Sequence, residues 1–288
     1  MITLQNESLT AVIANKGAEL QQLKNNHTGI NYLWSGDAAY WGKYSPVLFP
    51  IVGGLKNDLY FYNGHEYKLP RHGFARDRDF SVEQISSSEA VFSLKDDEHT
   101  REVYPFSFTL KIRYQLNQNW LACTYEVYNS GDNSLLFSVG AHPAFAVPLK
   151  NNLQYSDYYL EFNKPENLER WKLVNGLVSN HAVAMATENN RLPLQAALFY
   201  EDAIVLKGLN SNCITLATDK DAHGLNFYFT DFPFFGIWAA KDAPFVCLEP
   251  WCGVADSVNH NQQLENKEGI NLLQPGHHFS RTWSVECF

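Results

Sequence analysis

The chain has no surplus of positive charge to offer a polyanion. Its 22 lysines and arginines are outnumbered by 31 aspartates and glutamates, for a formal net charge of -9. A nucleic acid needs clustered basic side chains against its phosphates, so no nucleic-acid partner is expected. No stretch approaches the roughly 18 consecutive apolar residues of a membrane span, and no membrane partner is expected either. The opening residues, Met1-Ile2-Thr3-Leu4-Gln5-Asn6-Glu7, have no basic stretch and no long apolar run, so no secretory signal is read there. Cysteine is sparse: Cys123, Cys213, Cys247, Cys252 and Cys287 make five, an odd number without framework spacing. That pattern fits reduced thiols and a cytoplasmic location better than a disulfide scaffold.

Several chemical signatures are missing as well. There is no Gly-x-Ser-x-Gly elbow, so nucleophilic serine chemistry finds no support. No phosphate-cradling loop and no Gly-x-Gly-x-x-Gly occurs, so no nucleotide cofactor is expected. His72, His142 and Glu249 are a two-histidine, one-carboxylate set of the kind that holds iron or zinc, but nothing in their spacing supports a site, and no metal is expected. No window sustains helical periodicity over three turns, and there is no repeat, low-complexity tract or linker.

What the chain does have is aromatic side chains, 14% of 288 residues, with 19 Phe, 15 Tyr and 7 Trp. Aromatics favour strands and suit a pocket that packs on flat apolar faces such as sugar rings. Alternation of apolar and polar residues, as in Phe108, Leu110, Ile112, Tyr114 and Leu116, marks strands with one buried face. Strands are read at 80–85, 89–94, 106–116, 120–128, 203–206, 213–218, 225–230, 235–239, 245–248 and 279–287. Asn63-Gly64 and Asn175-Gly176, each between β-rich flanks, predict tight hairpin turns. Short helices are expected near Asp37–Gly42 and Asp256–Glu265, with Asp256 or Ser257 as the cap. The expectation is one all-β domain over residues 1–288 with about twenty strands.

Polar groups that interrupt apolar context are the candidates for chemistry. The stretch Arg71-His72-Gly73-Phe74-Ala75-Arg76-Asp77-Arg78-Asp79 is charged and rich in turn formers. If it is extended, Arg76 and Arg78 face together and Arg71 need not join them. His142 ends an apolar strand ahead of Pro143, and Glu249 closes the apolar run Phe245-Val246-Cys247-Leu248. A carboxylate there is costly unless paired or functional, and a satisfied hydrogen bond is the plainer explanation for any one of these groups alone. Asp202, beside Glu201, reads as a solvated turn. One carboxylate and one imidazole in an aromatic β scaffold amount to a base and an acid.

Three motifs in order carry a resemblance: His72-Gly73-Phe74-Ala75-Arg76-Asp77, Gly140-Ala141-His142-Pro143-Ala144-Phe145, and Leu248-Glu249-Pro250-Trp251-Cys252-Gly253-Val254-Ala255-Asp256. With Phe49-Pro50-Ile51-Val52-Gly53 upstream, the chain resembles the aldose 1-epimerases (galactose mutarotase-like proteins), and more narrowly the LacX-type branch. The resemblance implies a β-supersandwich of twisted, mostly antiparallel sheets, a monomer or homodimer, and cofactor-free interconversion of the anomers of a sugar. It implies Glu249 as the general base on the C1 hydroxyl and His142 as the acid on the ring oxygen. It assigns substrate binding to His72, Asp202, Arg76 and Trp251. One departure is Gly54, where family members often carry an arginine at the sugar site; Lys56 or Arg76 is then left to compensate. Two rival activities follow: a 1-epimerase of hexose 6-phosphates, and a catalytically silent sugar-binding or sensing protein.

Overall fold

The computed structural model describes all of residues 1–288. It contains 23 strands and a single α-helix, Glu98–Val103. The largest sheet has nine antiparallel strands in the spatial order Arg191–Pro193, Tyr158–Phe162, Cys213–Thr218, Asp221–Tyr228, His278–Cys287, Trp120–Asn129, Phe108–Asn117, Glu89–Lys95 and Ser81–Ser86. Its central strands bury every second residue, as the alternation in Phe108–Asn117 requires. The second large sheet has seven strands. Phe245–Cys252 runs beside Phe234–Trp238, then Ile204–Lys207, Glu169–Val174 and Leu177–Ala184 follow. The other edge of Phe245–Cys252 carries two short strands, Val139–Gly140 and Ala144–Ala146.

The two large sheets enclose a cluster of 69 buried residues. Rings cross between them: Phe227 of the nine-stranded sheet meets Phe145 at 5.7 Å and Phe235 at 6.1 Å, and Phe229 meets Phe235 at 4.4 Å. Side chains alternate across Phe245–Cys252, so Val246, Leu248 and Pro250 face this core. Cys247, Glu249 and Trp251 face the opposite way. That face is covered too, by loops and a second cluster of eight buried residues that includes Val52, Val205, Trp251 and Val254. All eight residues of Phe245–Cys252 are therefore buried.

The strand expectations and both Asn-Gly turns match the fold. Asn63 and Asn175 take φ of 49° and 51°, with Gly64 and Gly176 both at 78°, as tight hairpin turns demand. Three local readings need correction, and one element was not read at all. The strand at 245–248 continues to Cys252 through Pro250. The carbonyl of Pro250 accepts from the Ala141 N–H at 3.1 Å, so its missing N–H lies on the edge where the partner strand is broken, and the sheet tolerates it. The segment 37–42 is a turn held by Asp37, not a helix. Only Leu264–Asn266 of the region 256–265 is helical, as one 3₁₀ turn, and Asp256 is no cap but a buried ion-pair partner. The true α-helix was not anticipated; Asp97 and Thr100 close a reciprocal capping box at its start.

Candidate active site

The break in the edge strand sets His142 directly opposite Glu249. Gly140 pairs with Trp251 and Ala144 with Cys247, leaving three residues on each side of the gap. The His142 Nε2 atom lies 3.4 Å from Glu249 Oε2. Both are buried, at 8% and 2% exposure. On the far side of Glu249 the register partner is Gly236, and a Cβ there would lie 2.3 Å from the Trp251 ring. The missing side chain is what lets the indole lie down beside the carboxylate.

Above this pair is a cavity of about 340 Å³, within the ordinary size of small-molecule sites. Its lining includes His72, Arg76, His142, Asp202, Glu249 and Trp251. Each residue assigned to catalysis or substrate binding from the sequence thus borders one space. Trp41 stacks on the His142 ring at 4.9 Å and 28°, while Trp238 meets that ring edge-on at 5.6 Å. Val52, Leu173, Ala203, Val254 and Ala255 complete the apolar part of the wall.

His72 is locked by its own loop. Its backbone N–H donates to the Gly53 carbonyl at 2.9 Å, and its Nδ1 accepts from the Gly53 N–H at 3.1 Å. The neutral ring therefore carries its proton on Nε2. The residue sits at φ 70°, a left-handed conformation that this pairing sustains. Asp202 is also left-handed, at φ 73°. One of its carboxylate oxygens accepts from the Ala203 N–H at 2.8 Å. Arg170 gathers the surrounding backbone, donating to the carbonyls of Leu198, Glu201 and Asp202 at 3.2, 3.0 and 2.8 Å. Asp202 is accordingly a held group in the cavity wall, not the solvated turn its neighbour Glu201 implied.

The charged loop differs from an extended reading. Ala75–Asp77 forms a 3₁₀ turn, which brings Arg76 beside Arg71 and sends Arg78 away to Asp97 at 3.6 Å. Arg76 Nη2 donates to the Arg71 carbonyl at 3.0 Å. Arg71 also lines the cavity, and its side chain has no ion-pair or hydrogen-bonding partner within the protein. It packs on the Asn175-Gly176 turn so closely that a Cβ at Gly176 would lie 1.8 Å from its Nη2. Lys56 donates to the His260 carbonyl at 3.1 Å and is not part of the lining. Arg71, Trp238 and Gly176 are the residues that sequence reasoning missed. Trp238 becomes visible only once its pairing with Cys247, two residues from Glu249, is known.

Burial dominates the electrostatics. It pushes the Glu249 carboxyl well above the usual carboxylate range, with the Asp202 charge adding to the effect. It pulls His142 down to about 3, with Arg76 and Arg71 acting in the same direction. His72 is likewise held well below its ordinary 6.5 by burial and by His142. Burial thus favours the neutral carboxyl and the neutral imidazole over their charged forms. Cys247 is the third donor here: its sulfur lies within 4.8 Å of ligating atoms of both His142 and Glu249.

The chain matches known proteins along nearly its whole length. The aldose 1-epimerase family model covers residues 1–284, and the chain belongs to that family. The plasmid LacX protein of Lactococcus lactis subsp. lactis is 34% identical over 284 residues, 95% of each chain. A galactose mutarotase related enzyme from Lactobacillus acidophilus superposes with a TM-score of 0.95 at 37% identity, covering 100% of this chain and 97% of the other. A galactose mutarotase-like protein from Lactobacillus casei gives a TM-score of 0.92 at 33% identity, covering 100% of both. The fold is that of the galactose mutarotase-like proteins.

Proposed function

We propose that this protein is an aldose 1-epimerase that interconverts the α and β anomers of a free hexose. The observation that carries the reading is the contact of 3.4 Å between His142 and Glu249 at the base of an aromatic-walled cavity. Ring opening needs one proton removed from the C1 hydroxyl and one delivered to the ring oxygen. With one proton between them, the two side chains offer one acceptor and one donor to the same sugar.

In this mechanism Glu249 takes the proton from the C1 hydroxyl. His142 gives a proton to the ring oxygen, and the C1–O bond to the ring breaks. The open aldehyde rotates about C1–C2, and closure runs the two transfers backwards. Burial favours the neutral pair before substrate enters. Sugar hydroxyls then donate to the carboxylate and favour its charged form, which moves the proton to His142. His72 points its Nε2–H at the ring oxygen and steadies the charge that develops there. Asp202 accepts from sugar hydroxyls, Arg76 anchors the sugar, and Trp251 packs on its apolar face.

Polarimetry of freshly dissolved α-glucose and α-galactose tests the reading. Wild type is expected to speed equilibration well above buffer; equilibration at the buffer rate for every aldose in a small panel would remove it. A second reading has its own support in Arg71, an unpaired guanidinium beside Arg76. It makes a hexose 6-phosphate the substrate. It predicts a lower KM for the phosphorylated sugar and a loss of that preference at high salt.

A further inference from the structure

Cys247 has no part in the acid–base scheme, yet it stands at its centre. It lies two residues before Glu249 on the same strand and so points to the same face. Its sulfur, a His142 ring nitrogen and a Glu249 carboxylate oxygen lie within 4.8 Å of one another, and all three residues are buried. Zinc binds nitrogen and oxygen ligands at about 2.0–2.2 Å, which puts two of them about 3.3–3.5 Å apart in a tetrahedron. The His142–Glu249 separation of 3.4 Å already has that value. With a zinc–sulfur bond of about 2.3 Å, the thiol has to approach by no more than about 1.3 Å. Two of the three residues, His142 and Glu249, line the cavity.

We propose that His142, Cys247 and Glu249 form an inhibitory site for a thiophilic divalent cation of the zinc class. Thiolate, imidazole and carboxylate together favour such an ion over magnesium or calcium, which prefer all-oxygen sites. The cation comes from solvent. On binding, the Cys247 sulfur and the His142–Glu249 pair release their protons to solvent, metal–ligand bonds form, and nothing is oxidised or reduced. The other buried cluster, Asp256 with His260, contains the Lys267 ammonium 2.8 Å from the carboxylate and repels a cation. The metal site stands independently of the sugar reading; only its inhibitory effect rests on that reading.

The test uses the purified full chain, stripped of metal and titrated with Co²⁺ and with Zn²⁺ against a chromophoric chelator. One Zn²⁺ per chain is expected, and bound Co²⁺ is expected to show thiolate charge-transfer absorption. Cys247→Ala and Cys247→Ser are each expected to lose that absorption and to weaken Zn²⁺ binding by at least about 100-fold, a lost ligand costing no less than a lost outer partner. In each variant the mutarotation that remains is expected to resist Zn²⁺, whereas wild type is stopped by Zn²⁺ and restored by chelator. Circular dichroism checks each variant, so that either one suffices. Wild-type cobalt protein without thiolate absorption, or Zn²⁺ affinity unchanged in a folded Cys247 variant, would overturn the site. Should no sugar be turned over at all, the binding measurements still decide the proposal.

Discussion

At the residue scale, the protein turns on the environment of two side chains. Glu249 and His142 are ordinary titrating groups made unusual by burial. If they are base and acid, Glu249→Gln and His142→Asn each lower the mutarotation rate by about 10²- to 10⁴-fold, the worth of a positioned proton donor or acceptor. The same shifts set the pH dependence of stability. The folded-state pKa of Glu249 is raised, so its contribution is present below 4.5 and lost as pH rises through the raised value. Glu249→Gln should therefore gain stability relative to wild type as the solution is made alkaline. His142 runs the other way: its folded value of about 3 lies below the ordinary 6.5, so stability falls as pH drops between them. His142→Asn should lessen that acid-side loss. Urea unfolding across the pH range checks both signs, and a parallel pH course for wild type and variant would contradict them.

At the element scale, much of the site was legible and some was not. His142 and Glu249 each break an apolar run beside a proline, and His72 sits in a charged turn beside a glycine, so sequence context marked them as candidates and the three motifs in order joined them. Local context read Asp202 as a solvated turn, leaving the resemblance to place it at the site, and it left Arg71 out, because the placement of both depends on partners far along the chain. Arg170 fixes the backbone around Asp202, and the Gly176 turn receives Arg71. No local pattern reports either contact. Both give predictions. Arg170→Met removes the clamp on the carbonyls of Leu198, Glu201 and Asp202; it should cost about 1–3 kcal/mol of stability and raise KM more than it lowers kcat. Gly176→Ala puts a Cβ where the Arg71 guanidinium lies and forces a non-glycine residue to φ of 78°. It should destabilise by more than about 1 kcal/mol and raise KM. Urea titration and initial-rate polarimetry read both, and an unchanged KM in either variant would contradict the assigned role.

At the scale of the whole molecule, an all-β architecture was readable because one-sided burial writes itself into every second residue. The bracing of the loops was not readable. Asp256 is buried behind the cavity wall, its carboxylate bound by Lys267 at 2.8 Å, the His260 ring at 3.1 Å and the Lys56 N–H at 2.9 Å. Its backbone ties the Gly54 carbonyl to the Val178 N–H, joining two walls of the site. Burial alone would raise the Asp256 carboxyl, but its partners hold it down at about 2. Its stabilising effect is thus present above 3.8 and lost as pH falls through about 2. Asp256→Ala leaves the Lys267 ammonium buried and unpaired, and should cost about 3–5 kcal/mol in denaturant unfolding. A loss below about 1 kcal/mol, the worth of an exposed pair, would show that the brace is not real.

The central claim is that one buried carboxylate–imidazole pair opens and closes a sugar ring. The most direct measurement is the optical rotation of freshly dissolved α-galactose and α-glucose with wild type and with folded Glu249→Gln at equal concentration. Wild type should bring the rotation to equilibrium far faster than buffer, with the variant close to buffer. A Glu249→Gln protein as fast as wild type would contradict the account.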